Sequence, residues 1–346
     1  MKSFPVVLAV ISVLVLSAAG CGGGGKKSAS APATTSAKGK TIKVGLVTDV
    51  GQLNDRGFNH LSYLGVKEAQ ARLGIQYNVT LSASSSEYVP NLTSLARKGY
   101  QLVIGVGFTE AEAIDTAAHL FPHTKFAIVD VDQTTEPHKP PNLLGLLFRE
   151  QEVGYLAGYL AGLEEKRLPG KDVVGSVGGQ KQPPVDRFIA GYQAGAKAAD
   201  PGVTTLNGYS QDFVKQDLCK AVALTQIGQG AGVVFQVAGG CGLGVITAAR
   251  DKNVWAIGVD ADQAYIDPKH ILTSATKHVD VAVFKAIQSV VNGTFRGGNV
   301  VYGIKENGVG LGKINPRVPK SEVAAVNKIH DDIVSGKIKN IPTIVK

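Results

Sequence analysis

The sequence predicts an α/β protein built as two doubly wound parallel-sheet lobes that face each other across a cleft. Three observations predict it. From Thr41 onward, short β-branched apolar runs alternate with helically spaced stretches, the pattern of parallel strands covered by helices on both faces. The repeats are too many for one ordinary doubly wound sheet, and a chain of 346 residues exceeds the usual size of one core. Polar residues collect at strand ends in both halves, as two opposed sheet edges require. A single barrel of eight repeats is the rival that alternation leaves open.

The elements follow in order. Strands are expected at 42–48, 77–82, 101–107, 125–131 and 143–148, then at 172–177, 203–209, 232–238, 255–260 and 271–276. Each is a run rich in Val, Ile, Leu or aromatic residues that closes on Gly, Asp or another turn former. Helices are expected near 55–73, 87–98, 110–120, 151–166, 185–198, 214–228, 243–252, 280–292 and 320–336, where apolar residues recur three and four apart. The small-residue helix in EQEVGYLAGYLAGLEE marks a change of lobe. The expected N-terminal lobe is 41–148 with a return segment near 278–300, and the expected C-terminal lobe is 149–277 with the tail near 301–346. Right-handed crossovers then bring the C-terminal strand ends of each lobe to one edge.

The first forty residues are of another kind. A positive MKS, the apolar FPVVLAVISVLVLSAA and Gly20-Cys21 form a secretory signal over 1–20, too short for a comfortable membrane span. Ala18, Ala19 and Gly20 before the cysteine resemble the lipobox of bacterial lipoproteins, with Ala18 where that motif prefers leucine. The resemblance implies acylation of Cys21 and anchoring to the cell membrane from outside the cytoplasm. Residues 21–40, rich in Gly, Ser, Ala and Lys, read as a flexible tether. Cys219 and Cys241 are then an even pair in an oxidising compartment, either bridged or two buried thiols.

Composition narrows the function classes. Hydrophobic content of 44% with 18% charged residues excludes a disordered chain. The net charge of +8 is scattered, with no basic helix interleaved by aromatics, so no nucleic-acid partner is expected. GxSxG, P-loop and paired-cysteine signatures do not occur, no cofactor is expected, and the seven histidines are not expected to hold a metal.

The chemistry is expected at the strand ends. In TDVGQLNDRGFNH, Asp49 ends a strand, Asn54 or Asp55 is placed to cap the next helix, and that helix carries Phe58 and Asn59. An acid, an amide and an aromatic at a helix N-terminus suit a small ligand with a flat ring and hydrogen-bonding edges. VIGVGF and FAIVDVD deliver Phe108, Asp130 and Asp132 beside it. In the second half Tyr209 ends a strand, the turn of Gly239, Gly240, Gly242 and Gly244 permits close backbone approach, and Asp260 follows about twenty residues later. The spacing GGCGLG departs from the dinucleotide fingerprint. Lys277 complements Asp260: an acceptor and a donor that together suit a vicinal diol.

In order and spacing, KVGLVTDVGQLNDRGFN, FAIVDVD, EQEVGYLAGYLAG, GVVFQVAGGCGLG, IGVDADQ and LTSATK resemble the basic membrane protein family of bacterial lipoproteins, which bind purine nucleosides for ABC transporters. The resemblance covers the whole body of the chain. It implies a type I periplasmic-binding-protein fold with a three-segment hinge, a monomer, and an ABC permease as partner. It places Asp49, Asn54, Phe58, Asn59 and Asp130 at the base, Tyr209 over the other ring face, and Gly239, Gly240, Asp260 and Lys277 at the ribose. Tyr209 departs from the family's usual phenylalanine. A sugar or another ring-bearing metabolite, a nucleoside sensor without transport, and an exported Rossmann-type enzyme remain as alternatives.

Overall fold

The computed structural model describes residues 41–345; the expected signal over 1–20, the tether over 21–40 and Cys21 lie outside the described residues. The first half runs β1 (Lys43–Val50), α1 (Phe58–Leu73), β2 (Gln76–Ser82), α2 (Tyr88–Arg97), β3 (Leu102–Val106), α3 (Ala111–Leu120), β4 (Lys125–Val129) and β5 (Leu143–Phe148). The second runs α4 (Glu150–Arg167), β6 (Val173–Gly178), α5 (Pro183–Ala199), β7 (Thr204–Tyr209), α6 (Gln216–Gly228), β8 (Val233–Val237), α7 (Leu243–Lys252), β9 (Trp255–Asp260) and β10 (Ile271–Lys277). The chain closes with α8 (Val279–Val291), β11 (Gly298–Tyr302), β12 (Val309–Leu311) and α9 (Lys320–Val334).

These strands form two open six-stranded sheets, ordered β11-β5-β4-β3-β1-β2 and β12-β10-β9-β8-β6-β7, which sets aside the barrel. Pairings are parallel except for the β10–β12 ladder. The central strands β3, β8, β9 and β10 are buried on both faces, which explains why they read as unbroken apolar runs. The edge strand β2 is exposed or half-buried along its length up to the buried Ser82.

The chain passes between the sheets three times, at Phe148–Glu150, Lys277–Val279 and Tyr302–Val309. After the second crossing α8 packs on α1, and after the third α9 packs on α4. The returning strands β11 and β12 are absent from the expected strand set: β12 has only three residues, and β11, at the end of its sheet, is exposed or half-buried at four of its five positions and carries no continuous apolar run.

The small residues of α4 serve packing. A side chain at Gly158 would stand 1.9 Å from the Tyr192 carbonyl oxygen, and one at Gly195 2.0 Å from that of Tyr155, so α4 and α5 meet backbone to backbone. At its far end α4 is tied to the second sheet by Trp255 Nε1, which donates to Glu164 at 3.1 Å. Among the described residues no helix is long and apolar enough to cross a membrane.

Candidate functional site

Between the two sheet edges lies a cavity of about 340 Å³, within the range of small-molecule sites. From the first lobe Asp49, Asn54, Phe58, Asn59, Phe108 and Asp130 line it; from the second, Gly239, Gly240, Asp260 and Lys277. These are ten of the eleven residues expected to meet a ligand. The lobes touch around it: Gln263 Nε2 donates to the Arg56 carbonyl at 3.1 Å, and the rings of Phe108 and Phe213 meet edge to face at 5.8 Å.

The first-lobe edge is organised around the start of α1. Asp55 is the cap: its carboxylate accepts from the amides of Gly57 and Asn59 at 2.9 Å and of His60 at 3.1 Å. The helix therefore begins at Phe58, three residues later than expected, and Asn54 is left lining the cleft. Asn59 Nδ2 donates to Asp49 Oδ1 at 3.0 Å, while Asn59 Oδ1 is buried with no donor among the described residues. Burial pushes the Asp49 carboxyl up to about 7, against the Asn59 hydrogen bond. Behind it Glu110 is fully buried with no hydrogen bond to either carboxyl oxygen among the described residues. Burial, followed by the charge of Asp49, holds the Glu110 carboxyl well above its ordinary pKa.

Asp130 and Asp260 follow β4 and end β9, both with left-handed backbones, φ 69° and 63°. Such conformations cost energy outside glycine and concentrate at functional sites. Burial pushes the Asp260 carboxyl up to about 7, although Lys277 opposes it, and no hydrogen bond contributes.

One expected residue is displaced and another has partners the sequence did not indicate. Lys277, expected to complement Asp260 at a diol, also has partners of its own: its ammonium donates to the Asp130 carboxylate at 2.6 Å and to Glu150 Oε1 at 2.9 Å. Burial works against that charge, but Asp130, Glu150 and Asp260 outweigh it and hold the lysine above its ordinary pKa. Asp130 is correspondingly engaged with Lys277 across the lobes through Oδ2, while its Oδ1 has no hydrogen-bond partner among the described residues. The displaced residue is Tyr209, which does not line the cavity. Its hydroxyl donates to Asp186 Oδ1 at 2.5 Å, turning the ring onto α5.

Phe213, four residues on, lines the cavity where Tyr209 does not, and so does Phe188 of α5. Asp212 Oδ1 accepts from the amides of Val214 and Lys215 at 2.7 and 2.8 Å, folding Phe213 into a tight turn before α6. Signals for both were present: an Asx turn in SQDFVK, and prolines opening a helix in QPPVDRF. Cys219 and Cys241 are bridged, with Cα atoms 5.6 Å apart. The Cys241 amide also donates to the Phe213 carbonyl at 2.9 Å, so the bridge joins the aromatic turn to the glycine turn.

His119 and His123 stand four apart, a spacing seen in metal pairs, but the His119 ring stacks on His138 with centroids 4.3 Å apart. Among the described residues no group of His, Cys, Asp or Glu is arranged to hold a metal ion.

Comparison with known proteins gives a consistent result. The model of the family described as "Bmp: ABC transporter substrate-binding protein PnrA-like" matches residues 42–343. The chain is 34% identical to the ABC transporter nucleoside-binding protein BmpA of Lactococcus lactis, over 96% of this chain and 97% of that one. An uncharacterized lipoprotein of Pyrococcus horikoshii is 38% identical over 79% of this chain and 69% of its own length. Among solved structures, an ABC transporter solute-binding protein of Aeropyrum pernix K1 superposes with a TM-score of 0.80 at 29% identity, covering 87% of this chain and 94% of that chain.

Proposed function

This chain belongs to the Bmp family of PnrA-like ABC-transporter substrate-binding proteins, which are not enzymes, and on that premise we propose that its cleft captures a purine nucleoside. The observation that carries the reading is the division of the cavity: aromatic rings from both lobes, Phe58, Phe108, Phe188 and Phe213, with carboxylates and one ammonium between them. A base stacks between Phe58 and Phe213, an arrangement worth about 1–3 kcal/mol per base. Asp49 and Asn59 Oδ1 accept from the ring edge. Asp260 accepts from the sugar hydroxyls, with Lys277 as donor, and a ligand lacking those hydroxyls strands buried polar groups at roughly 1–3 kcal/mol each.

Ligand groups touched from both lobes favour the closed arrangement, which a membrane permease then reads. Acylation at Cys21 and the tether over 21–40 keep the body, a monomer, near that permease outside the cytoplasm. A thermal-shift screen against purine nucleosides, free bases and sugars tests the reading. Purine nucleosides should raise the melting temperature most. A sugar that stabilises while nucleosides do not overturns the assignment.

A further inference from the structure

Glu150 is the first residue of α4, directly beyond the first crossing between the lobes. It does not line the cavity and its side chain is fully buried. Its two oxygens have different partners: Oε1 accepts from Lys277 Nζ at 2.9 Å, and Oε2 from Arg187 Nε at 2.6 Å. Lys277 stands at the second crossing and reaches Asp130 at 2.6 Å. The result is an alternating row of charges, Arg187, Glu150, Lys277 and Asp130, that runs from α5 through two of the three crossings to the end of β4. The rings of Phe58, Phe148 and Phe188 surround the ammonium at 5.3, 4.8 and 5.8 Å.

An ammonium on a four-carbon stem is free to rotate, and it has three donors. Asp130 and Glu150 take two of them from opposite lobes, which leaves one for the cleft. Without the charge on Glu150, Asp130 would be the only bonded carboxylate and would draw Nζ toward the first lobe, away from Asp260. Arg187, with a side chain 21% exposed, braces Glu150 from the other side.

We propose that Glu150, held by Arg187, is a positioning residue that aims the Lys277 ammonium at the sugar hydroxyls of the ligand, so that recognition of the sugar depends on a carboxylate that touches no ligand. The inference rests on the nucleoside reading above.

Glu150→Gln keeps the shape and removes the charge, and Arg187→Gln removes the brace. Each is titrated by calorimetry with inosine and with 2′,3′-dideoxyinosine, which lacks the vicinal hydroxyls, and folding is checked by circular dichroism. Glu150→Gln should lose about tenfold or more for inosine, the size of one charged hydrogen bond, and much less for the dideoxy compound. Arg187→Gln should shift the same ratio by about threefold, because it removes only one of the contacts that hold Glu150. A purely structural role would weaken both ligands in parallel. A folded Glu150→Gln whose ratio stays within about twofold of the wild type overturns the inference. Should that variant not fold, an unchanged ratio in Arg187→Gln overturns it instead. Wild-type protein that binds neither compound overturns the nucleoside reading, and this inference with it.

Discussion

Asp130 and Asp260 occupy the same place in the two lobes, at the end of the third strand from the edge that the returning strand completes, and both have left-handed backbones. Their surroundings differ. Asp130 is bonded to a buried lysine at 2.6 Å, while among the described residues none donates a hydrogen bond to the Asp260 carboxylate, which burial pushes up to about 7. One position in a duplicated plan has become a clasp between the lobes and the other an open acceptor. What separates these two acids is the partner each finds in its own surroundings, since their place in the sheet is the same.

The pair of substitutions Asp260→Asn and Asp130→Asn tests that division most severely, since asparagine tolerates the left-handed backbone. Asp260→Asn should weaken nucleoside binding by on the order of 100-fold, the size of one or two charged hydrogen bonds, and leave the melting temperature unchanged or higher. Asp130→Asn should instead cost stability, about 3–5 kcal/mol for breaking a buried pair, read as a fall in denaturant midpoint. If both lose affinity equally with no loss of stability, the two positions are not different in kind.

The aromatic wall comes next. Phe213→Ala should cost about 1–3 kcal/mol of nucleoside binding, and Tyr209→Phe should cost none, since its hydroxyl bonds Asp186 outside the cavity. Calorimetry that finds the reverse order would restore Tyr209 to the site.

These two residues show how far the sequence is legible. Alternation of strands and helices was enough to bring Asp49, Phe108, Asp130, Asp260 and Lys277 to opposed edges, because parallel topology gathers strand ends. Tyr209 was the last aromatic of its strand and the natural choice, but the pleat at the end of β7 turns it toward Asp186. Phe213 sits in a loop whose Asx turn follows from Asp212, a local signal weaker than any strand pattern. The partners of Lys277 were equally hidden: Asp260 is nearer in sequence, yet Asp130 and Glu150, from elements far along the chain, take its ammonium.

The lobes differ again in what holds their cleft edges, hydrogen bonds to Asp55 in the first and the Cys219–Cys241 bridge in the second. Reduction should destabilise the protein by about 3 kcal/mol on loop-entropy grounds, given a sequence separation of 22. Hydrogen exchange should rise over 210–244 and stay unchanged at the start of α1; equal deprotection of both edges would contradict the contrast.

A further contrast with the bonded Asp130 is read in pH dependence. An acid whose folded pKa is raised binds its proton more tightly in the folded protein, so its contribution is fully present below 3.8 and is lost as the pH rises to about 7. From this source the empty protein should melt lower near neutral pH than in mild acid. Asp49→Asn combined with Asp260→Asn should flatten that slope, as thermal melts across the window will show.

The central claim is that two unlike edges recognise two unlike parts of one molecule. Its most direct measurement is calorimetric titration of the wild-type protein with a purine nucleoside, with its free base and with ribose. Tight binding of the nucleoside, at least about 100-fold stronger than either part alone, is the predicted result. Ribose or the free base binding as tightly as the nucleoside would contradict the account.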